Sequence, residues 1–161
     1  MLRIKISLRR YLILLSFCYL VFFSACSINT NNIKYSELMN LQPKQIIEKN
    51  FFYYNEKNID GMLSTRTSSN RSADFGLKSL ISVKLINIEA DDMNLKDSYF
   101  KYGRGKNSNI DKNNVIAYKV TYELIYSMDT PTWKSGTQTD YYILIKPNNN
   151  SPWLIDDVGK P

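Results

Sequence analysis

The sequence contains no histidine among its 161 residues and only two cysteines, Cys18 and Cys26. The absence of histidine excludes every Ser-His-Asp and Cys-His nucleophilic site. It also excludes the common zinc sites, because those use histidine or several cysteines. We therefore predict no catalytic residues of these kinds, no metal site and no cofactor.

Other ligand-binding motifs are incomplete. The acidic stretches EADD at 89–92 and DKNN at 111–114 resemble calcium loops only in composition, and the second lacks the glycine and the distal glutamate of an EF-hand. The stretch GRG at 103–105 is too short for a phosphate-binding loop. These segments are predicted to be surface turns.

The N-terminal segment has the order of a secretory signal. Residues 1–10 carry four basic side chains and no acidic one, and residues 11–23 are apolar apart from Ser16. This apolar run has 13 residues, fewer than the roughly 18 that a membrane-spanning helix needs. Small residues and Cys26 follow it. The pattern therefore predicts an exported protein.

The stretch Phe23-Ser24-Ala25-Cys26 resembles the lipobox of bacterial lipoproteins. The resemblance implies cleavage between Ala25 and Cys26 and attachment of a diacylglyceryl group to Cys26. It divides the chain into a signal peptide (1–25), a lipidated cysteine with a polar tether (26–42) and a domain (43–161). The protein is then expected at the extracytoplasmic face of a bacterial cell membrane, of Gram-positive type. The alternatives are an uncleaved signal anchor and an ordinary secreted protein.

Cleavage would change the charge balance. The whole chain has 21 basic and 15 acidic residues, and four basic residues lie in positions 1–25, which leaves 17 against 15. A net charge of +2 without a basic cluster argues against nucleic-acid binding. Cys18 leaves with the signal and Cys26 carries lipid, so no disulfide is expected within the mature domain. Its length suits one domain with one core.

Two helices are predicted at the start of the domain. Pro43 suits a first helical position, and residues 43–54 carry an apolar stripe. The stripe is formed by Ile47, Phe51 and Tyr54 and widened by Ile46 and Phe52. A second helix is predicted after Asn58 as N-cap. Its first turn holds Asp60, and its expected buried face is Ile59, Met62 and Leu63.

Residues 115–127 give the clearest strand, because apolar and polar side chains alternate there. The apolar face consists of Ile116, Tyr118, Val120, Tyr122, Leu124 and Tyr126. Further strands are predicted at 77–90, where mixed parity requires a bulge or bend, at 137–146, with Tyr141, Ile143 and Ile145 on one face, and at 153–158. Residues 65–72, with Arg66 and Arg71, and residues 91–114 are expected to be solvated connections.

A helix pair followed by an antiparallel meander predicts an α+β domain with the helices on one sheet face. The order resembles the cone-shaped fold of nuclear transport factor two, ketosteroid isomerases and polyketide cyclases. More narrowly, the chain resembles a family of Gram-positive lipoproteins with that fold and no assigned activity. The matching stretches are NIDGML at 58–63, YKVTY at 118–122, SG at 135–136 before YYILIK at 141–146, and WLIDDVG at 153–159. The resemblance implies a pocket between the helix pair and a strongly curved sheet.

Tyr118, Tyr122 and Tyr126 are the candidate pocket residues, because tyrosine hydroxyls suit a mostly apolar ligand site. The alternative is a filled core in which each hydroxyl finds a backbone partner. Asp60, Asp140, Asp156 and Asp157 are the acids that an enzyme could use. Asp156 and Asp157 lie on opposite faces of a predicted strand, so at most one points inward, and each is expected at a solvated strand end.

Three functions fit this sequence. The first, which we favour, is a membrane-anchored domain without catalytic activity that binds a small molecule or an envelope protein. The second is an isomerase, cyclase or dehydratase that uses one pocket carboxylate and a tyrosine. The third is a structural assembly module with a filled pocket. The fold alone does not choose among them.

Overall fold

The computed structural model describes residues 36–71, 75–90 and 94–160. The chain divides after Asn32 into two units, and every described residue belongs to the second. The predicted signal peptide, Cys26 and the first part of the tether lie outside the described residues. Among the described helices, none is long and apolar enough to span a membrane.

A short helical stretch at 36–38, within the predicted tether, precedes the two helices that were predicted for the start of the domain. Helix α1 covers Pro43–Asn55 and helix α2 covers Ile59–Ser64. A proline opens α1, where its missing N–H leaves no hydrogen bond unmade. Asn58 caps α2, since its Oδ1 accepts a hydrogen bond of 2.8 Å from the Gly61 N–H. The predicted start signals of both helices are therefore confirmed.

The predicted apolar faces of these helices need two corrections. Phe52 is 56% exposed and Ile59 is 48% exposed. Successive residues of an α-helix are rotated by about 100°, so Phe52 lies off the sheet-facing side of α1 that Phe51 occupies. Tyr53 is buried instead and packs over Gly61, where a Cβ atom would lie only 2.4 Å from the Tyr53 ring. Gly61 therefore permits the close approach of α2 to α1.

The sheet contains four antiparallel strands in the order β1-β2-β3-β4. They are β1 (Leu80–Ala90), β2 (Val115–Tyr126), β3 (Gly136–Ile145) and β4 (Leu154–Gly159). Each strand pairs with its neighbour in the sequence, so the predicted meander and the α+β class are confirmed.

Strand β1 contains the irregularity that its mixed parity predicted. Its register against β2 shifts between Leu80 and Ser82 and again between Leu85 and Asn87. The extra residues, Ile81 and Ile86, are exposed. Two bulges thus turn these isoleucines outward and keep the remaining apolar side chains of β1 on the core face.

The main core lies between α1 and one face of the sheet. Its buried members are Leu38, Ile46, Ile47, Phe51, Leu80, Val83, Ile88, Tyr118, Val120, Tyr122, Leu124, Tyr126, Tyr142, Leu144 and Ile155. Leu38 belongs to the predicted tether. Packing of the domain therefore begins ahead of residue 43.

The opposite face of the sheet is covered at one end by helix α3, Asn94–Lys101. Only a solvated connection was predicted here, and that prediction is wrong. Tyr99 of α3 packs against Ile143 and Ile145 of β3. Of the predicted apolar face of β3, Ile143 and Ile145 thus belong to this second, smaller cluster, whereas Tyr141 is only half-buried. Tyr142 on the alternate face enters the main core.

Replacing Gly61 by alanine is expected to destabilise the domain, although alanine is the better helix former. The new methyl group would collide with the Tyr53 ring, and overpacking of this kind costs about 1–3 kcal/mol. Urea unfolding measures the change. Gly159→Ala is the matched control, because nothing lies within 4 Å of a Cβ there. Equal stability of the two variants would contradict the tight α1–α2 packing.

Candidate functional site

The three predicted pocket tyrosines lie on the core face of β2, and all are buried. They do not share one hydrogen-bond network. The Tyr122 hydroxyl donates to Asp140, and the Tyr126 hydroxyl lies 3.3 Å from that of Tyr54. Burial raises the pKa of Tyr118. The filled-core alternative assumed backbone partners for these hydroxyls. The partners of Tyr122 and Tyr126 are side chains instead.

Phe51 occupies the space between the middle of α1 and the sheet. Its ring centroid lies 5.0 Å from that of Tyr122 and 6.0 Å from that of Tyr142. These are ordinary distances for packed aromatic pairs. Packing therefore fills the apolar part of the interior beside Tyr122, and the same interior also has a polar part.

Arg66 supplies that polar part. Its segment forms a short parallel bridge with Ile155 of β4. The Thr67 N–H donates to the Ile155 carbonyl at 3.0 Å, and the Ile155 N–H donates to the Thr65 carbonyl at 2.9 Å. Thr65 and Thr67 are both buried. The prediction of a solvated loop is thus wrong here, because the segment completes the edge of the sheet.

The guanidinium of Arg66 is poorly matched by its surroundings. Its carbon lies 5.2 Å from the Phe75 ring centroid, and its Nη2 reaches Asn50 Oδ1 only at 3.4 Å. The buried Nε has no hydrogen-bond partner. Within residues 36–71, 75–90 and 94–160, no carboxylate forms an ion pair with Arg66. Burial lowers the pKa of this guanidinium.

Tyrosines surround the guanidinium. Tyr54, Tyr122 and Tyr142 are close enough to interact with it electrostatically. Burial is the main cause that raises the pKa of each of these phenols far above its usual range. Their hydroxyls therefore stay protonated at neutral pH and serve as neutral donors. The Tyr54 hydroxyl donates its proton to the Phe75 carbonyl at 2.8 Å, and the Tyr122 hydroxyl donates to Asp140. Arg66 is therefore the group of this lining that suits an anion, and we name it and the three tyrosines the Arg66 cluster.

Asp140 lies on the same sheet face and is buried. One of its oxygens accepts the Tyr122 hydrogen bond, and the other lies 2.8 Å from the Lys160 ammonium. Each oxygen thus has one partner. Of the other candidate acids, Asp60 is exposed and Asp157 lies 3.8 Å from Arg104 in a partly exposed ion pair.

Asp156 departs most from expectation. Only 4% of it is exposed, whereas a solvated strand end was predicted. The register of β4 skips Asp156, since Ile143 pairs with Asp157 and Leu144 with Ile155. This bulge turns Asp156 away from the ladder. Of the two adjacent aspartates, one points inward, as the alternation required.

The Asp156 carboxylate is held by hydroxyl groups. Its Oδ1 accepts from Thr67 at 2.7 Å and from Ser69 at 3.1 Å, and its Oδ2 accepts from Tyr99 at 2.8 Å. The donors come from the segment beside Arg66 and from α3. Sequence reasoning missed Tyr99, and no local signal pointed to it, because its partner lies 57 positions away.

An exposed groove of about 480 Å³ lies on the outer side of α1. Its lining consists of Glu37, Leu41, Gln45, Glu48, Lys49 and Phe52. The Lys49 ammonium lies 3.8 Å from the Glu37 carboxylate. These two opposite charges of the groove therefore compensate each other. The described residues contain no group of three or more acidic or cysteine side chains placed to hold a metal ion.

Asp156→Asn is expected to destabilise the domain by about 1–3 kcal/mol, because the amide nitrogen cannot accept the hydrogen bonds that one carboxylate oxygen accepts now. The measurement is the free energy of unfolding in urea. Asp157→Asn, one position along, removes only a partly exposed ion pair and should change stability by less than about 1 kcal/mol. A variant at 156 as stable as the one at 157 would contradict the account of this network.

The family comparison covers most of this domain. A family profile described as a domain of unknown function, DUF4829, matches residues 44–159. No curated protein and no solved structure matches the chain. The matched region spans α1, the whole sheet and the Arg66 cluster, and by this match the chain belongs to the DUF4829 family.

Proposed function

We propose that this protein is a lipid-anchored extracytoplasmic domain that binds a small molecule in the polar part of a cone-like interior, without catalysing a reaction. The anchor is supported by the charged, apolar and small-residue order that ends at Cys26. The cone-like shape is supported by an α1 helix packed on one face of a bulged antiparallel meander. Binding is supported by the Arg66 cluster.

The observation that carries the binding proposal is the buried Nε of Arg66 without a hydrogen-bond partner. A guanidinium removed from water destabilises a fold unless ion pairs or hydrogen bonds compensate it. Packing alone would be served better by an apolar side chain. A costly group of this kind is expected where it is used for binding.

The enzyme alternative is favoured by one contact, the hydrogen bond from Tyr122 to Asp140. That pair has the residue types which a tyrosine-assisted acid or base reaction needs. A general base, however, has to come within hydrogen-bond reach of its substrate, and Asp140 is buried with Tyr122 and Lys160 against its two oxygens. We therefore favour binding over catalysis. The assembly-module alternative is favoured by the packing of Phe51 against Tyr122.

For the anchor, we expect that labelled palmitate enters the wild-type chain in a Gram-positive host and that Cys26→Ala abolishes the label and releases the protein from the membrane. Two acyl chains hold a protein stably at a bilayer, whereas none are present in the variant. Cys18→Ala is the matched control and should be labelled normally. Equal labelling of Cys26→Ala and wild type would overturn the anchor.

For binding, we expect native mass spectrometry of the full-length chain, extracted gently from membranes, to detect a retained small molecule. Arg66→Gln should lose it, since the cation that holds it is removed, and Arg71→Gln should keep it because Arg71 is exposed. A bare mass for the wild type, or equal occupancy in the Arg66 and Arg71 variants, would contradict the proposed site.

A further inference from the structure

We infer that the ligand of this domain is a small organic monoanion, a carboxylate, held by the guanidinium of Arg66. The inference rests on the proposed function, since it names the class of molecule that the same interior would bind. It makes Arg66 the residue that decides the charge of the ligand.

The position of Arg66 is fixed by its neighbours. Thr65 accepts a hydrogen bond of 2.7 Å from the Asn50 side chain and donates one of 2.8 Å to the Met62 carbonyl. Thr67 donates to Asp156 at 2.7 Å. Both residues that flank Arg66 are therefore locked by side-chain hydrogen bonds as well as by the bridge to β4. A cation held in place this way loses little conformational freedom when an anion binds.

The unused donors of Arg66 form one edge of its guanidinium. Nε and Nη2 lie on the same side of the planar group, and this edge matches the two oxygens of a carboxylate. Among the residues that the structure describes, Nε has no hydrogen-bond partner and Nη2 has only the 3.4 Å contact to Asn50. A carboxylate placed across this edge would satisfy both nitrogens at once, which a neutral amide with one acceptor oxygen cannot do.

The charge of the cluster sets the charge of the ligand. Arg66 contributes one positive charge, and the neighbouring Tyr54 and Tyr142 phenols are neutral because burial raises their pKa. One carboxylate balances that charge, whereas a dianionic phosphate would leave one negative charge buried. The Phe75 ring at 5.2 Å and the tyrosine rings give apolar walls for the organic part of the molecule.

The main competing explanation is an internal partner. Asp74 precedes Phe75 in the sequence and lies outside the described residues. If its carboxylate pairs with Arg66, the guanidinium is a structural cation and needs no ligand. Variants at both positions distinguish these two explanations.

The first experiment measures thermal unfolding of the full-length chain in detergent at fixed ionic strength. The probes are acetate, benzoate and octanoate. Each carboxylate is compared with its neutral amide and with phosphate. We expect at least one carboxylate to stabilise the wild type and its amide to bind about tenfold more weakly or worse. Arg66→Gln should abolish the difference, and Arg71→Gln should preserve it. Equal effects of acid and amide would overturn the carboxylate, and stabilisation by phosphate alone would replace it with a phosphate ligand. No effect of any probe, together with a bare native mass, would reject the proposed function itself.

The second experiment needs no ligand. Arg66→Met should raise the urea midpoint of the ligand-free chain, because it removes a buried cation without a partner, and Asp74→Asn should leave the midpoint unchanged. A lower midpoint or loss of folding for Arg66→Met would overturn the inference, since it would make Arg66 a structural residue. An equal decrease in the urea midpoint for Asp74→Asn would identify Asp74 as the partner of Arg66.

Discussion

The burial of Asp156 is the constraint on which the rest of the interior depends. A carboxylate inside a protein is tolerated only when hydrogen-bond donors compensate for the lost water. Here the donors are the hydroxyls of Thr67, Ser69 and Tyr99. They join two segments that the meander does not connect, the edge segment after α2 and helix α3. Asp156 can reach both because a bulge in β4 removes it from the ladder.

This arrangement has a direct consequence for the candidate site. Thr67 is fixed by Asp156 and by its backbone bond to Ile155. Arg66 is the preceding residue, and its guanidinium lies over the Phe75 ring and near Asn50. The interior is thereby divided into two parts. Phe51 fills the apolar part, and the Arg66 cluster forms a polar part that packing alone does not require.

The sequence predicted the features that depend on local chemistry. The alternation in β2, the cap at Asn58 and the irregular parity of β1 each follow from the pattern of neighbouring side chains, and the structure contains all three. The order of β2, β3 and β4 followed as well, because short connections favour sequential pairing. The predicted lipobox at Cys26 is also a local pattern, and it lies outside the described residues.

The features that were missed depend on distant contacts. Nothing near Arg66 distinguishes it from Arg71, since its burial results from pairing with β4, far along the chain. Tyr99 was predicted to lie in a polar connection. Its burial comes from the packing of α3 on one end of the sheet. Asp156 was expected in solvent because strand-end acids usually are exposed, and its donors come from residues that are remote in sequence. Tertiary contacts decided all three cases.

A crystal structure of the full-length protein, purified from its native membrane without added ligand, tests the central claim most directly. The decisive observation is the electron density across Nε and Nη2 of Arg66. We predict planar density for the carboxylate of a bound organic molecule, with its apolar part toward Phe75 and Tyr142. A side-chain carboxylate of the chain itself on that edge, with no bound molecule beside it, would contradict the account.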